Sequence, residues 1–185
     1  MRWESLFADL QAQATELEIA ERSAEVQERV RIELSQLALA DRIRPAAGQQ
    51  VRIRCIGELT VAGVLQRVGA DWLLLHEGGG REALIQLSAV LALANVGRLS
   101  APPTETPSVS ARLAVGQVLR AIARDRSVLR LHLRDGGVID GTIDRVGRDF
   151  TEIAVHAAGE LRRRSEVREV LLVPHCAVAA LRRDV

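Results

Sequence analysis

The chain has 185 residues, of which 48% are hydrophobic and 26% are charged, and only four are aromatic. This composition is typical of one or two compact domains, and it excludes a chain that is disordered throughout. The longest uninterrupted apolar stretch, residues 89–94, is far shorter than the ~18 residues of a membrane-spanning helix. The N-terminus does not resemble a secretory signal, so we expect a cytoplasmic protein without membrane contact.

All basic residues are arginine, and the formal net charge of +1 hides an uneven distribution. Residues 1–50 carry 6 arginines and 9 acidic residues, and residues 51–110 carry 5 of each. Residues 111–185 carry 14 arginines against 10 acidic residues. A mildly basic C-terminal part permits a polyanionic partner without requiring one.

The first element in chain order is helical. Apolar residues at helical spacing form one stripe at Leu6, Leu10, Ala14 and Leu17 and a second stripe around Leu34 and Leu37. The two stripes are out of phase, so we expect a break between them. Residues 29–34 also alternate apolar with charged residues, which leaves helix and strand both open there. The first stripe would suit a protein partner or a second copy of the chain.

The strongest signal is an internal repeat, because residues 51–75 align without a gap with residues 129–153 at an offset of 78 positions. Apolar and polar residues alternate within each copy, which predicts short β-strands. The repeated strand glycine predicts a sharp bend, and the repeated Gly-x-Asp predicts a turn whose aspartate caps its own backbone. The residues with these structural roles are Gly63, Gly69, Asp71, Gly141, Gly147 and Asp149.

We therefore predict an α+β, mainly β fold of two tandem five-stranded barrels, each preceded by a helix. Residues 110–126 have the amphipathic period of the second helix, and residues 100–109, with three prolines, are typical of a linker. The predicted boundaries are residues 1–35 for the N-terminal helical segment and 36–98 for the first barrel. The linker then covers residues 99–109, and the second barrel with its helix covers residues 110–185.

The second copy resembles a known family. A leading helix precedes Leu133-x-Asp135-Gly136, then Gly141-x-Ile143, an aromatic residue after a turn, and Ser165-x-Val167. This order is similar to the Sm-like barrel of the Hfq type; generic SH3-like barrels share part of it. Taken whole, the chain also resembles an actinobacterial family that supplies no activity to transfer.

The resemblance implies RNA binding and rings in which the fourth strand of one barrel pairs with the fifth strand of the next. The loop before the last strand of Hfq-type proteins carries a Lys-His pair, and Arg163-Arg164-Ser165 is aligned with it here. Four arginines near this place would be able to clamp phosphates. Trp72 and Phe150 are candidate platforms for stacked bases. The predicted nucleic-acid site therefore consists of Arg162, Arg163, Arg164, Arg168, Phe150 and Trp72.

No catalytic, cofactor or metal motif accompanies these residues. The four histidines are scattered, and Cys55 and Cys176 stand in apolar alternation, which predicts two buried, slowly alkylating thiols. We therefore expect a non-enzymatic Sm-like RNA-binding protein without cofactors, with the second barrel as the binding unit. The alternative is a protein–protein scaffold that uses the same barrels and the N-terminal helix. In either case we expect a homo-oligomer.

Overall fold

The computed structural model describes residues 3–101, 109–156 and 169–184, and the chain forms two compact units, Met1–Ala38 and Leu39–Val185. The first unit is a single helix, α1 (Trp3–Gln36), so residues 29–34 are helical. Its large apolar side chains, such as Phe7 and Leu17, are exposed. No helix within the described ranges is long and apolar enough to cross a membrane.

The predicted break between the two apolar stripes is wrong, because α1 runs without interruption to Gln36. Ion pairs between residues one helical turn apart span the region where the break was expected. Arg22 pairs with Glu18 at 3.4 Å and Arg29 pairs with Glu25 at 3.2 Å, each four residues apart. Such pairs support a helix even where the apolar stripe changes its phase.

In its described residues, the second unit contains three short helices and ten strands. The helices are α2 (Leu39–Ile43), α3 (Val109–Arg112) and α4 (Val115–Asp125), so the helix predicted over residues 110–126 is interrupted at residues 113–114. The strands of the first repeat are β1 (Gln50–Cys55), β2 (Thr60–Val68), β3 (Trp72–Gly78), β4 (Arg81–Gln86) and β5 (Val90–Ala94). Those of the second are β6 (Val128–Leu133), β7 (Val138–Val146), β8 (Phe150–Val155), β9 (Glu169–Pro174) and β10 (Val178–Asp184).

The strands form one antiparallel ten-stranded sheet in the order β5-β1-β2-β3-β4-β10-β6-β7-β8-β9. The predicted α+β, mainly β class is confirmed. Each repeat has the same internal order, with its fifth strand beside its first and its fourth strand at the opposite end. Pairing of β4 with β10 joins the repeats, and the sheet does not close on itself, because β5 and β9 are its edges in the described chain.

The fourth strand of the second repeat begins later than the sequence alignment predicts. The resemblance to the Hfq type placed Arg163-Arg164-Ser165 in the loop before the last strand, directly after the fourth strand. In the structure Leu87–Ala89 and His175–Ala177 are the equivalent short 3₁₀ turns, each between a fourth and a fifth strand. The match of Arg163-Arg164-Ser165 to the loop before the last strand is therefore wrong. It is wrong because 13 residues separate β8 from β9, whereas only two separate β3 from β4.

Two hydrophobic cores lie on the two repeats and share strands at the junction. The first core includes Ile53, Leu65 and Leu75, together with Ala180 of β10. The second includes Leu119 of α4, and it also takes in side chains of the first repeat: Trp72, from β3, and Leu84, from β4. Because β3, β4 and β10 bury side chains on both faces, neither core is complete without the other repeat.

The two cysteines differ in their surroundings. Cys55 is fully buried in the first core, and burial raises the pKa of its thiol to about 11, which keeps it protonated and unreactive. Cys176 is exposed in the 3₁₀ turn before β10. The prediction of two buried thiols is therefore wrong for Cys176, and slow alkylation is expected only of Cys55.

The repeated strand glycines lie where two strands approach closely. A Cβ atom at Gly63 would overlap the His76 carbonyl oxygen, and one at Gly141 would overlap the Ala154 carbonyl oxygen. In both repeats the strand pairing shifts its register within the next few residues, after Leu65 and after Ile143. The glycine and the irregularity after it therefore occur together in each copy.

We expect Gly141→Val to destabilise the protein by about 1–3 kcal/mol, because the new side chain meets the backbone of the neighbouring strand. The free energy of unfolding, measured by urea denaturation, checks this. Val138→Thr, on the exposed start of the same strand, should change stability by less than about 0.5 kcal/mol. Equal stability of Gly141→Val and the natural chain would contradict the close approach of β7 and β8.

Candidate functional site

The turn that ends β2, Gly69–Trp72, attaches the first repeat to the helix of the second repeat. We call it the Asp71 turn. The backbone N–H of Gly69 donates to the Trp72 carbonyl at 2.8 Å, which closes the turn. The Leu113 carbonyl oxygen, in the break between α3 and α4, accepts from Ala70 N–H at 3.2 Å and from the Trp72 indole Nε1 at 2.8 Å. One backbone N–H and one side-chain N–H of the turn thus hold Leu113, just before α4.

Asp71 caps this helix. Its Oδ1 accepts a hydrogen bond of 2.7 Å from the Val115 N–H, at the first residue of α4. A carboxylate at a helix N-terminus satisfies a free N–H and interacts favourably with the helix dipole. The sequence predicted that this aspartate caps its own turn, whereas the structure shows that its carboxylate reaches the neighbouring repeat.

The buried position of Trp72 is incompatible with base stacking. It is only 3% exposed, lies in the second core, and its indole N–H is engaged by Leu113. A base would have no open ring face on which to stack. Phe150, its counterpart, is half-buried, and its ring lies over Gly147. Of the two predicted platforms, only Phe150 keeps part of its ring at the surface.

The equivalent turn of the second repeat, Gly147–Phe150, caps no helix in the described chain, although Arg120 of α4 donates to its Gly147 carbonyl at 3.1 Å. We call it the Asp149 turn. Gly147 N–H donates to the Phe150 carbonyl at 2.8 Å, as in the first repeat. The Asp149 carbonyl accepts from His175 N–H at 2.7 Å, and the Asp71 carbonyl accepts from Leu87 N–H at 2.9 Å. The two turns therefore share their backbone geometry, but the Asp149 side chain is exposed.

A polar depression of about 480 Å³ lies between the C-terminal end of α4 and the end of β7. Its charged lining consists of Arg124, Arg126, Arg145 and Asp144. All three arginines are exposed. Arg145 pairs with Glu152 at 3.8 Å, but its side chain is 79% exposed, so this ion pair contributes little. We call this group the arginine depression.

The position of Arg126 is fixed by the C-terminal end of α4. It follows the last helical residue with φ of 50°, in the left-handed conformation that ends many helices, and its N–H donates to the Ala123 carbonyl. Arginines at a helix C-terminus also interact favourably with the negative end of the helix dipole. Sequence reasoning missed this group, although Arg124 and Arg126 flanking the end of a predicted helix was the available signal.

The predicted arginine cluster, Arg162, Arg163, Arg164 and Arg168, lies outside the described residues. So does most of the predicted linker, residues 102–108. Among the predicted binding residues the structure therefore places only Trp72 and Phe150, and these lie on different repeats.

A line of charged groups crosses the junction on the sheet. Arg182 of β10 donates to both carboxylate oxygens of Glu77 at 2.8 and 2.9 Å. The pKa of His132 lies below its ordinary value, mainly because the imidazole is partly buried and also because the Arg182 guanidinium is close. The Arg130 guanidinium, bonded to Asp140 at 2.8 and 3.0 Å, holds the pKa of that carboxyl below its usual range. In each pair the carboxylate neutralises the arginine, so these groups stabilise the junction and leave little net charge to bind a ligand.

A second, apolar cavity of about 290 Å³ lies between α4 and the sheet. Leu74, Leu84 and Leu181 line it from the sheet, and Val118 and Ile122 line it from α4. Within the described ranges, no group of three or more His, Cys, Asp or Glu side chains is placed to hold a metal ion.

No protein-family model matches this chain, and no curated protein matches it at a significant level.

We expect Asp71→Ala to destabilise the protein by about 1 kcal/mol, because α4 loses a side-chain cap. Asp149→Ala is the matched control at the same place in the other repeat, and we expect less than about 0.5 kcal/mol from it, measured on a dilute sample. Urea denaturation of both variants measures the difference. Equal effects of the two substitutions would contradict the assignment of Asp71 as the cap.

Proposed function

We propose that this chain is a cytoplasmic, non-enzymatic RNA-binding protein of the Sm-like type, and that it binds through its second repeat. The observation that carries the proposal is the arginine depression. Arg124, Arg126 and Arg145 line one concave polar surface in the basic part of the chain. No ion pair engages Arg124 or Arg126 in the part of the chain that the structure describes.

Phosphate chemistry fits this surface. A guanidinium donates paired N–H groups to phosphate oxygens, and phosphate contacts supply most of the sequence-independent affinity for nucleic acids. The half-buried ring of Phe150 lies on the strand that follows β7 and is the one predicted aromatic with an accessible edge. Arg162, Arg163, Arg164 and Arg168 belong to the same repeat, and in this proposal they extend the basic surface.

The Sm-like assignment is part of the same proposal. It is supported by the strand order that both repeats share and by the presence of one hydrophobic core for each repeat. The bent second strand, with a glycine against the third, also fits a small Sm-like or SH3-like barrel. In this proposal each repeat is one such barrel, and the pairing of β4 with β10 joins them.

Binding of a labelled RNA pool at two salt concentrations tests the proposal. We expect affinity to fall steeply with salt, because each phosphate contact releases counterions. Arg124→Ala/Arg126→Ala should weaken binding and reduce the slope of log K against log salt by about 1.4, from ~0.7 for each contact on a single strand. Arg162→Ala/Arg163→Ala/Arg164→Ala should weaken it further.

Arg52→Ala/Arg54→Ala is the matched control, because it removes the same charge from exposed positions on β1 of the first repeat. It should leave the affinity within about twofold. An equal loss in both double variants would contradict the second repeat as the binding unit, and no binding at low salt would contradict RNA binding altogether.

The second candidate function is a protein–protein scaffold built by head-to-tail association of the chain. The observation that favours it is the junction itself, in which the fourth strand of the first repeat pairs with the fifth strand of the second. The fourth strand of the second repeat, β9, and the fifth strand of the first, β5, are the sheet edges in the described chain. The same pairing between copies would continue the sheet and cover the exposed Val170 and Leu172 of β9.

The sequence before each repeat fits this association. Leu37-Ala38-Leu39 and Leu113-Ala114-Val115 are alike, and in each the helix begins at the third residue, Leu39 or Val115. Asp71 caps α4 at Val115. In an assembly of this kind, the exposed Asp149 carboxylate would cap α2 of the next copy at Leu39 in the same way.

Light scattering coupled to size exclusion at micromolar concentration tests the association. We expect the natural chain to have a mass that is a multiple of 20.2 kDa. The Asp149→Ala variant should have a lower mass, closer to that of the monomer. Leu10→Asp distinguishes the other route, association through the exposed stripe of α1, and should leave the mass unchanged. Dissociation by Leu10→Asp alone, or a 20 kDa monomer from the natural chain, would contradict head-to-tail association.

A further inference from the structure

We propose that the apolar cavity between α4 and the sheet binds a small amphiphilic carboxylate, such as a medium-chain fatty acid, with the carboxylate on Arg67. This site is separate from the arginine depression, and it does not depend on RNA binding or on self-association. Four observations carry it: the cavity's walls, its rigidity, the charge in its lining, and a difference between the two repeats.

The walls are apolar on two sides. Leu74, Leu84 and Leu181 form the sheet side, and α4 contributes Val118 and Ile122. Trp72 lines the cavity too, and its ring is fixed by the hydrogen bond to Leu113. A cavity of about 290 Å³ is at the lower end of small-molecule sites, so its occupant is a single short chain or ring.

The cavity is held open by polar contacts at one end. The Asp71 turn holds the start of α4 through Leu113 and Val115, and these bonds fix the helix relative to β3. A preformed apolar site of this kind loses little conformational entropy on binding.

Among the described arginines that line the cavity, one has no counterion. Arg183 bonds to Glu82 at 3.0 Å, and Arg182 bonds to Glu77, so both of these guanidiniums are neutralised locally. Arg67 also lines the cavity, and among the described residues it makes no ion pair or hydrogen bond. The occupant that this arrangement favours has an apolar body and one negative charge.

The two repeats differ at this point. Arg145, the counterpart of Arg67, stands opposite Glu152 on β8 and pairs with it at 3.8 Å. Arg67 stands opposite Leu74 on β3, so the cation is kept and its acidic partner is replaced by an apolar side chain. The same change that removes the counterion also adds a leucine to the cavity wall. A ligand carboxylate would take the place that Glu152 has in the second repeat.

Titration with decanoate and with decanol tests this proposal. The full chain with Trp3→Phe is the reference protein, because it leaves Trp72, which lines the cavity, as the only tryptophan. We expect both compounds to bind by calorimetry and to change the Trp72 fluorescence. Affinity should rise about fourfold for each methylene added between hexanoate and octanoate, because each methylene is buried.

Two variants separate the apolar body from the charged head. Arg67→Ala should weaken decanoate about fivefold and leave decanol unchanged, since it removes an exposed charge contact only. Arg52→Ala is its charge-matched control and should change neither. Ala121 of α4 is exposed and also lines the cavity, so Ala121→Phe should fill the cavity and abolish binding of both compounds. Circular dichroism checks that the fold is retained.

Three outcomes would overturn the proposal. These are no binding of decanoate at millimolar concentration, binding that Ala121→Phe leaves intact, and an equal loss of decanoate and decanol in Arg67→Ala. The first two would refute the cavity as a ligand site, and the third would refute Arg67 as the carboxylate partner. None of them depends on the RNA measurements.

Discussion

The structure depends on the junction between the repeats more than on either repeat alone. Five residue pairs join β4 to β10, and three hydrogen bonds join the Asp71 turn to the start of α4. These contacts bring Trp72 and Leu84 into the core of the second repeat and Ala180 into the core of the first. Because each core is completed by the other repeat, cutting the chain between the repeats would expose apolar surface on both sides.

Both proposed sites arise from the way in which α4 is held. Its N-terminal end is fixed by Asp71, its C-terminal end presents Arg124 and Arg126, and its side facing the sheet forms one wall of the apolar cavity. A helix fixed at one end and packed along one side presents groups at defined positions, which is what recognition of a phosphate or a carboxylate requires. The helix therefore links the fold to its candidate chemistry.

Much of the fold could be predicted from the sequence because the same strand pattern and the same strand glycine occur in both repeats. Gly63 and Gly141 show where strands approach closely, and alternating residues show the strands. The start of β9 could not be predicted, because 13 residues separate it from β8, whereas two separate β4 from β3, so the first repeat is no guide to its position. The continuous sheet was also missed, since pairing of β4 with β10 joins residues ~100 positions apart and leaves no local pattern. The role of Trp72 was misjudged because its burial depends on Leu113 and the helix that follows, and Leu113 is 41 residues further along the chain.

The order of the strands has a consequence for how the chain is made. The last strand in chain order, β10, lies in the middle of the sheet, between β4 and β6. A ribosome delivers residues from the N-terminus, so the first repeat emerges with an open edge at β4 and the second with an open edge at β6. Both edges stay unpaired until residues 178–184 arrive, and such edges are sites of wrong pairing in unfinished chains. Insertion of β10 therefore joins two incomplete halves into one sheet, and the sheet is completed only after its nine other strands have been synthesised.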